Sequence, residues 1–325
     1  MSLLGRDLAM DLGAASTRIY VRRRGIVLDE PSAVTVDGRT GKVIRYGTEA
    51  AHGAGGETCW PVSGGLPADI ELARRMIRHF VRKVHWHPFS RPRMVMALPD
   101  DSTPIDRTAL CDVVFEAEAS GIVLIPHALA AALGAGLPVS DCAGSMVIDI
   151  GRDSARIAVL SRGDVVAYGA VPYGGHAVNM SLIRLVEREH GLLIDEAEAE
   201  SAKRRAGTGG WITVRARDPD SGQEHALPLP VQRVHEAADR PIEAIVGEAM
   251  ETVARCPAEL IADLGERGAV LVGGGALLRG LDRRLRTALC MPVRTSERPL
   301  ESVALGLGRC VDDLGLAGRL RNWRS

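Results

Sequence analysis

Two Asp-x-Gly turns are the segments of this chain whose residue types are best suited to chemistry. One is Asp11-Leu12-Gly13 near the start, and the other is Asp149-Ile150-Gly151 near the middle. Glycine allows backbone N–H groups to approach a phosphate closely, and a carboxylate can hold a hydrated divalent cation. Either turn alone is compatible with an ordinary β-turn in an α/β protein, whereas the occurrence of both favours a phosphate and metal site.

A third glycine-rich segment, Gly273-Gly274-Gly275, follows the apolar residues 269–272 and precedes a predicted helix. Three glycines remove side chains where a flat base or a ribose must lie against the backbone, and a helix N-terminus favours anionic groups. A close crossing of a strand and a helix would require the same glycines. Together with the Asp-x-Gly turns, this segment indicates a nucleotide site formed from both halves of the chain.

The elements that position these turns are short strands. Each Asp-x-Gly turn joins two apolar segments, residues 8–10 and 18–21 in the first half and residues 146–148 and 156–160 in the second. A strand, a tight turn and a returning strand predict a β-hairpin. Because strands and helices follow both hairpins in the same order, we expect a duplicated α/β fold in two lobes.

Hydrophobic periodicity predicts the remaining elements. Residues 51–66, which are rich in glycine and small side chains, predict an irregular exposed insert, and the apolar helix 128–136 is a candidate connection between the lobes. Pro241 is expected in the first turn of a helix, where proline is tolerated. Further strands are predicted at 93–98, 122–125, 164–170, 211–216 and 269–272, and further helices at 67–84, 106–119, 176–190 and 301–313.

The composition is that of a globular protein, with 46% apolar and 25% charged residues among 325. A net charge of −1 provides no basic field for nucleic acid, and an aromatic content of 3% argues against stacking on single strands. The six cysteines form no CxxC pair, so neither a zinc site nor a disulfide framework is predicted. We expect no secretory signal or membrane span, and therefore a cytoplasmic location.

The motifs of this chain resemble those of the actin superfamily, and within it the bacterial cell-shape actins of the MreB/Mbl family. The segments that carry the resemblance run almost end to end: residues 24–47, 77–84, 134–139, 144–151, 191–203, 256–282 and 299–309. The resemblance implies an α/β, actin-like (ribonuclease H-like, duplicated) two-lobe fold with four subdomains. Lobe I would comprise 1–138 and 308–325, with a small inserted subdomain at about 32–66; lobe II would comprise 139–307, with an insertion at about 184–240.

The resemblance also implies a function. The protein would bind ATP or ADP with Mg²⁺ between its lobes, form or join filaments, and help to determine cell shape and organise cell-wall synthesis. Its partners would be copies of itself, an anionic membrane surface at the inner face of the cell membrane, and cell-wall synthesis or morphogenesis proteins, with no nucleic acid.

The resemblance can be carried over residue by residue. Asp11 and Asp149 match the acids expected near the magnesium, which they would hold through water. The other residues that match nucleotide-binding positions are Gly13, Ala14, Ala15, Thr17, Gly151, Ser154, Glu200, Lys203, Gly273, Gly274, Gly275 and Ala276.

The second Asp-x-Gly turn departs from the family pattern Asp-Ile-Gly-Gly-Gly-Thr-Thr, because Arg152 and Asp153 stand where the family has glycines. If those positions use positive φ, each replacement costs on the order of 1 kcal/mol. Asp153 near a γ-phosphate would also repel it, by roughly 4 kcal/mol for charges about 4 Å apart at an effective dielectric near 20. If both side chains point outward, the turn would still function.

His127 stands where the family has its water-polarising glutamate. A neutral imidazole can still accept a proton or orient water. Beside an altered phosphate turn, however, the replacement predicts at most a weak ATPase. In the first turn, Ala14 and Ser16 replace a hydroxyl and an amide, and one phosphate contact is expected to be lost.

Trp86 and Phe89 lie together in a loop that follows a basic helix, and the family has a membrane-inserting loop in this region. Aromatic side chains flanked by basic residues suit an anionic headgroup layer. The alternative is that the two aromatic side chains anchor the loop to the core. The flanking basic residues are Arg78, Arg82, Lys83, Arg91 and Arg93.

Two other functions remain open. A sugar or metabolite kinase of the same superfold would need a carboxylate base, for which Asp100 and Asp101 are the candidates near a strand end. A non-polymerising scaffold that keeps the fold without nucleotide is favoured by Arg152 and Asp153. A chaperone is least expected, because no substrate-binding domain follows Arg309.

Overall fold

The computed structural model describes residues 7–53, 55–85, 91–313 and 315. The strands, in chain order, are β1 (Leu8–Leu12), β2 (Ser16–Val21), β3 (Gly25–Pro31), β4 (Val34–Val36), β5 (Val43–Tyr46), β6 (Glu57–Cys59), β7 (Val62–Ser63), β8 (Leu66–Pro67), β9 (Arg93–Leu98), β10 (Gly121–Pro126), β11 (Ser145–Ile150), β12 (Ala155–Ser161), β13 (Asp164–Val171), β14 (Trp211–Arg217), β15 (Glu224–Pro230), β16 (Ala269–Val272) and β17 (Val293–Thr295).

The helices are named in the same way. They are α1 (Gly47–His52), α2 (Ile70–Val84), α3 (Pro104–Glu116), α4 (His127–Gly134), α5 (Gly175–His190), α6 (Glu196–Arg205), α7 (Val231–Ala254), α8 (Ala258–Arg267), α9 (Leu281–Leu289) and α10 (Ser302–Asp312). Short 3₁₀ turns lie at Gly274–Leu277 and Pro299–Glu301.

Two five-stranded sheets of equivalent topology organise the described part of the chain. The strand order is β10-β9-β1-β2-β3 in the first sheet and β13-β12-β11-β16-β17 in the second. In each sheet, three consecutive strands pair antiparallel, and two later strands add in parallel beside the first of them. The predicted duplication is therefore present in the strand order itself.

The strands that carry the Asp-x-Gly turns lie in the middle of their sheets. Every residue of β1 (LAMDL) and of β11 (SMVIDI) is buried. A strand covered on both faces has no solvent side for polar residues, so its sequence reads as a nearly continuous apolar run. The two aspartates are thus delivered from rigid, buried strands rather than from exposed loops.

Helices α4 and α10 cross between the two sheets, and their backbones are in direct contact. A side chain added to Gly134 would place its Cβ 1.6 Å from the Ser302 carbonyl oxygen, and one added to Gly306 would lie 1.8 Å from the Ala130 oxygen. Buried residues from both sheets, including Ala9 and Val270, belong to the same apolar core as these helices. The predicted connection through the apolar helix near 128–136 corresponds to α4 in this shared core.

Two smaller units fall within the regions predicted as insertions. A three-stranded sheet of order β5-β4-β6 contacts α1. The β14–β15 pair packs with α5, α6 and α7 around a separate apolar cluster that contains Leu182, Val214 and Leu229. The boundaries between lobes and insertions stay a prediction.

Two expectations about local structure are wrong, one of them only in part. Pro241 lies inside the 24-residue helix α7 and not in a first turn. Although an interior proline costs about 3 kcal/mol, the helix continues because Ala238, Ile242 and Ile245 bury a common face against the second sheet. The prediction of an irregular exposed insert at 51–66 is wrong in part, since the described part of this range contains β6 and most of the β7–β8 hairpin, with Val62 buried, whereas residues 55–58 are exposed as predicted. Within the described residues, no helix combines the length and apolar character needed to cross a bilayer.

Candidate functional site

The two Asp-x-Gly hairpins have matching backbone geometry. The Gly13 N–H donates to the Ser16 carbonyl at 3.1 Å, and the Gly151 N–H donates to the Ser154 carbonyl at 2.9 Å. Asp11 is paired in register with an arginine, Arg18, and Asp149 in the same way with Arg156. Sequence reasoning missed these two arginines, although each stands at the same distance after its aspartate and could have been found by aligning the two turns.

Asp11, His127 and Asp149 come together where the two hairpins face each other. His127 begins α4, and its Nε2 lies 2.5 Å from Asp149 Oδ2 in a buried hydrogen bond. The charges of both His127 and Asp149 act on Asp11, and both aspartates are buried. The structure thus brings the proposed metal-binding carboxylates and the residue at the family's catalytic position into one cluster.

The two carboxylates have opposite electrostatic environments. Burial raises the pKa of Asp11 to about 6, although the nearby charges of Arg18 and His127 act in the other direction. Burial also acts to raise the pKa of Asp149, but the hydrogen bond from His127 and its charge outweigh this, and the pKa of Asp149 is lowered. A buried carboxylate that is hard to ionise is the kind of group whose anionic form a divalent cation would stabilise.

Thr17 is placed as part of the first hairpin's framework. Its side chain is fully buried, and its Oγ1 lies 2.8 Å from Ser32 Oγ, which donates to the Gly13 carbonyl at 2.6 Å. The Thr17 hydroxyl therefore holds the turn and does not project from it. Ala14 is buried, and Ala15 is exposed at the tip.

The triple glycine lies against the second hairpin. A side chain on Gly273 would meet Asp149 Oδ1 at 2.3 Å, and one on Gly275 would meet the Ile150 side chain at 2.1 Å. These two glycines are thus required by packing, as in the alternative interpretation of this segment. Gly274 is exposed, with only Leu300 within reach of an added Cβ, and it leaves an open backbone surface. Ala276 is buried behind it.

Glu200 and Lys203 on α6 are tied to the second hairpin through the start of α5. Lys203 Nζ donates to Glu200 Oε2 at 2.5 Å and to the Gly175 carbonyl at 3.0 Å. The Gly175 N–H in turn donates to the Gly151 carbonyl at 2.9 Å. Although burial acts to raise the pKa of Glu200, Lys203 and Asn179 lower it to about 2. Asn179 was not predicted from the sequence.

Arg152 and Asp153 carry no left-handed strain, because neither has a positive φ. Asp153 Oδ2 accepts hydrogen bonds from Ser63 Oγ at 3.0 Å and from the Gly64 N–H at 3.2 Å. The Arg152 guanidinium lies over the Trp60 ring, 4.3 Å from its centroid. Both side chains therefore leave the turn and contact the segment 60–64.

Trp86 and Phe89 lie outside the described residues. The basic residues that precede them are described, and their charges are offset in part. Arg78 and Arg82 both donate to Glu118, and Lys83 Nζ lies 2.5 Å from Glu30 Oε1.

Asp100, a candidate base in the kinase interpretation, has a structural partner. Its Oδ2 accepts a hydrogen bond from the Ala128 N–H at 2.9 Å and so holds the first turn of α4. This contact orients the helix on which His127 lies. The Asp100 carboxylate therefore helps to position His127 in the cluster.

Comparison with known proteins agrees with this architecture. The MreB/Mbl protein family matches residues 5–318. The chain is 37% identical to the cell shape-determining protein MreB of Escherichia coli K12, in an alignment that covers 97% of this chain and 96% of that protein. It is 35% identical to the cell shape-determining protein Mbl of Bacillus subtilis 168, over 96% of this chain and 97% of that one.

Solved structures show the same fold. MreB5 of Spiroplasma citri, determined with ADP bound, superposes with a TM-score of 0.90 at 24% identity, over 98% of this chain and 99% of that one. A MamK double helical filament superposes with a TM-score of 0.79 at 19% identity, over 95% of this chain and 99% of that one. With an actin-like fold and a family match over nearly its whole length, this chain belongs to the MreB/Mbl family.

Proposed function

We propose that this protein is an actin-like cytoskeletal protein that binds an adenine nucleotide with Mg²⁺ between its two lobes. It forms or joins filaments at the inner, cytoplasmic face of the cell membrane and helps to determine cell shape and organise cell-wall synthesis. Its ATP hydrolysis is weak or lost. The main support for the proposal is that Asp11, His127 and Asp149 lie close together between two hairpins of matching geometry.

The residues around the second hairpin support a nucleotide at this position. Gly274 offers an uncovered backbone surface next to the hairpin, and Lys203 is held at the start of α5 by Gly175. Asp11 and Asp149 would hold the magnesium through water, and the bound ion would offset the negative charge of the phosphates. Two MreB5 structures that superpose on this chain contain ADP and AMPPNP, which supports the same ligand class here.

The state of His127 supports weak hydrolysis. A general base must have a free nitrogen within reach of the water that it activates. The His127 Nε2 is bonded to Asp149 at 2.5 Å and the residue is buried, which leaves only Nδ1 to accept a proton from water. We infer that His127 serves mainly to position Asp149, and that the chain has no efficient replacement for the family glutamate at this position.

A non-polymerising scaffold is the second candidate. It is favoured by the contacts of Arg152 and Asp153 with the segment 60–64, which join the two lobes directly. A kinase is disfavoured, because Asp100 Oδ2 is bonded to the start of α4 and the carboxylate is thereby committed to holding that helix.

Calorimetry with ATP and with ADP in the presence of Mg²⁺ tests the proposal. We expect saturable binding that weakens by about tenfold or more in Asp149→Asn, since the loss of a group that orients a metal commonly costs that much. Asp220→Asn, in the exposed β14–β15 turn, is the matched control and should bind as the wild type does.

Sedimentation with and without nucleotide then separates the two candidates. Nucleotide binding together with sedimenting polymer supports the leading proposal. A protein that binds neither nucleotide and stays in the supernatant supports the scaffold.

A further inference from the structure

The turn between β7 and β8 lies between the two Asp-x-Gly hairpins. Gly64 and Gly65 form this two-residue turn, and both have positive φ, +56° and +82°. Two central residues of positive φ are typical of the tight hairpin turns that suit the twist of paired strands. A Cβ on Gly65 would lie 3.7 Å from the Leu12 carbonyl oxygen, so this turn also adjoins the first hairpin.

This turn is anchored in the first lobe. Val62, one residue before Ser63, is 2% exposed and packs in the apolar core formed by β1, β2 and α2. The position of Gly64 is therefore determined by the first lobe, and any bond from the second hairpin to Gly64 spans the cleft.

Side chains of the second hairpin form hydrogen bonds with both the N–H and the carbonyl group of Gly64. The Gly64 N–H donates to Asp153 Oδ2 at 3.2 Å, and Arg156 Nη2 donates to the Gly64 carbonyl at 2.7 Å. Ser63 Oγ adds a second donor to the same Asp153 oxygen at 3.0 Å. Each of these bonds includes an ionised side chain, and charge-assisted hydrogen bonds are stronger than neutral ones.

Arg152 makes a separate connection between the lobes. Its guanidinium stacks on Trp60 and also lies 3.0 Å from Glu196 at the start of α6. The Arg152 side chain is only 18% exposed. Partial shielding from water strengthens both the cation–π contact and the ion pair, relative to the same contacts at an open surface.

We propose that Arg152, Asp153 and Arg156, bound to Trp60, Ser63 and Gly64, form an interlobe clasp that keeps the cleft closed when no nucleotide is bound. The two residues that replace family glycines supply side chains that glycine lacks, and those side chains join the lobes directly. Closure of the cleft then depends on these side chains and not on whether a nucleotide is bound. This inference goes beyond the proposed function and does not require that the protein bind nucleotide.

Hydrogen–deuterium exchange of the nucleotide-free protein tests the clasp at the backbone amides of residues 62–66. We expect slow exchange in the wild type. In the double variant Arg152→Gly/Asp153→Gly, exchange should be at least about tenfold faster, a factor that corresponds to roughly 1.4 kcal/mol. Loss of a charge-assisted hydrogen bond is large enough to produce such a change.

The matched control is Arg162→Gly/Asp220→Gly, which makes the same two replacements in the β12–β13 and β14–β15 turns. It should exchange as the wild type does. Equal exchange at 62–66 in the wild type and the clasp variant, whether fast or slow, overturns the proposal. If the clasp variant does not fold, the wild type decides alone, because rapid exchange at Gly64 without nucleotide contradicts a closed clasp.

Discussion

The pairing of His127 with Asp149 determines how a carboxylate can remain ionised inside this cleft. Burial of an isolated carboxylate strongly disfavours its charged form. His127 reverses that effect for Asp149, whereas within the described part of the chain no hydrogen bond to the Asp11 side chain is found, and Arg18 Nη1 lies 4.0 Å from its Oδ2. Asp149 is therefore stabilised as an anion, whereas ionisation of the buried Asp11 would destabilise the folded protein.

Replacing His127 by alanine should destabilise the protein by about 3–5 kcal/mol at pH 7, because it leaves a buried charge without its partner. The pKa of Asp149 is lowered in the folded protein, so its contribution to stability is present above the unfolded value of 3.8 and is lost as the pH falls. Urea denaturation at several pH values measures this. A cost that does not shrink as the pH falls below 3.8 would contradict the pairing.

Asp11→Asn should have the opposite effect on stability. The pKa of Asp11 is raised from 3.8 to about 6, so between these values the folded state holds a proton that the unfolded chain has lost, and stability falls as the pH rises. At pH 7 the variant should be more stable by about 1–3 kcal/mol, with little difference at pH 4. Denaturation curves at both values test this, and Asp220→Asn serves as the exposed control.

At the scale of elements, the two lobes are joined by close contact of helix backbones. Gly134 and Gly306 allow α4 and α10 to approach until each glycine touches a carbonyl oxygen of the other helix. Because α4 also presents His127, the crossing of these helices sets the position of the histidine relative to the second hairpin. Small residues in α4 and α10 are thus needed for the geometry of the site as well as for packing.

Gly306→Ala should destabilise the protein by about 3 kcal/mol or more, because its Cβ would lie 1.8 Å from a backbone oxygen that cannot move freely. Gly247→Ala in α7 is the matched control, since an added Cβ there meets nothing within 4 Å. It should stabilise the helix by about 0.5–1 kcal/mol. Thermal denaturation compares the two, and similar effects would contradict the packing argument.

At the scale of the whole molecule, the proposed association with a membrane would depend on the aromatic residues that follow α2 in the sequence. Arg78 and Arg82 share Glu118, and Lys83 pairs with Glu30, so part of the positive charge of this helix is offset and its electrostatic attraction is reduced. Any membrane affinity of the region would then rest mainly on the aromatic side chains of the loop.

The double variant Trp86→Ala/Phe89→Ala should lose most of its co-sedimentation with vesicles containing anionic lipid. Trp211→Ala is the matched control, because Trp211 is 70% exposed in a different part of the molecule. Raising the salt concentration should weaken the wild type only modestly, since Arg78, Arg82 and Lys83 already form ion pairs. Undiminished sedimentation of the double variant would contradict membrane binding through this loop.

Most of the framework could be predicted from local patterns. The apolar runs that flank Asp11 and Asp149 predict central strands, because strands buried on both faces exclude polar residues. The prediction for Pro241 was wrong, since a rule for isolated helices takes no account of the core against which α7 packs. The residues 51–66 were misjudged in part for the same kind of reason, because their small side chains are needed for a turn that lies between two hairpins.

The sequence by itself determined the duplicated hairpins, the family and the identity of the residues at the cleft, because these depend on residue type and spacing along the chain. Only the tertiary structure decided what those residues contact. That His127 bonds to Asp149, that Gly273 and Gly275 are required by packing, and that Asp153 reaches Gly64 all depend on segments far apart in the chain. Such contacts arise when separate elements pack together, and no local pattern encodes them.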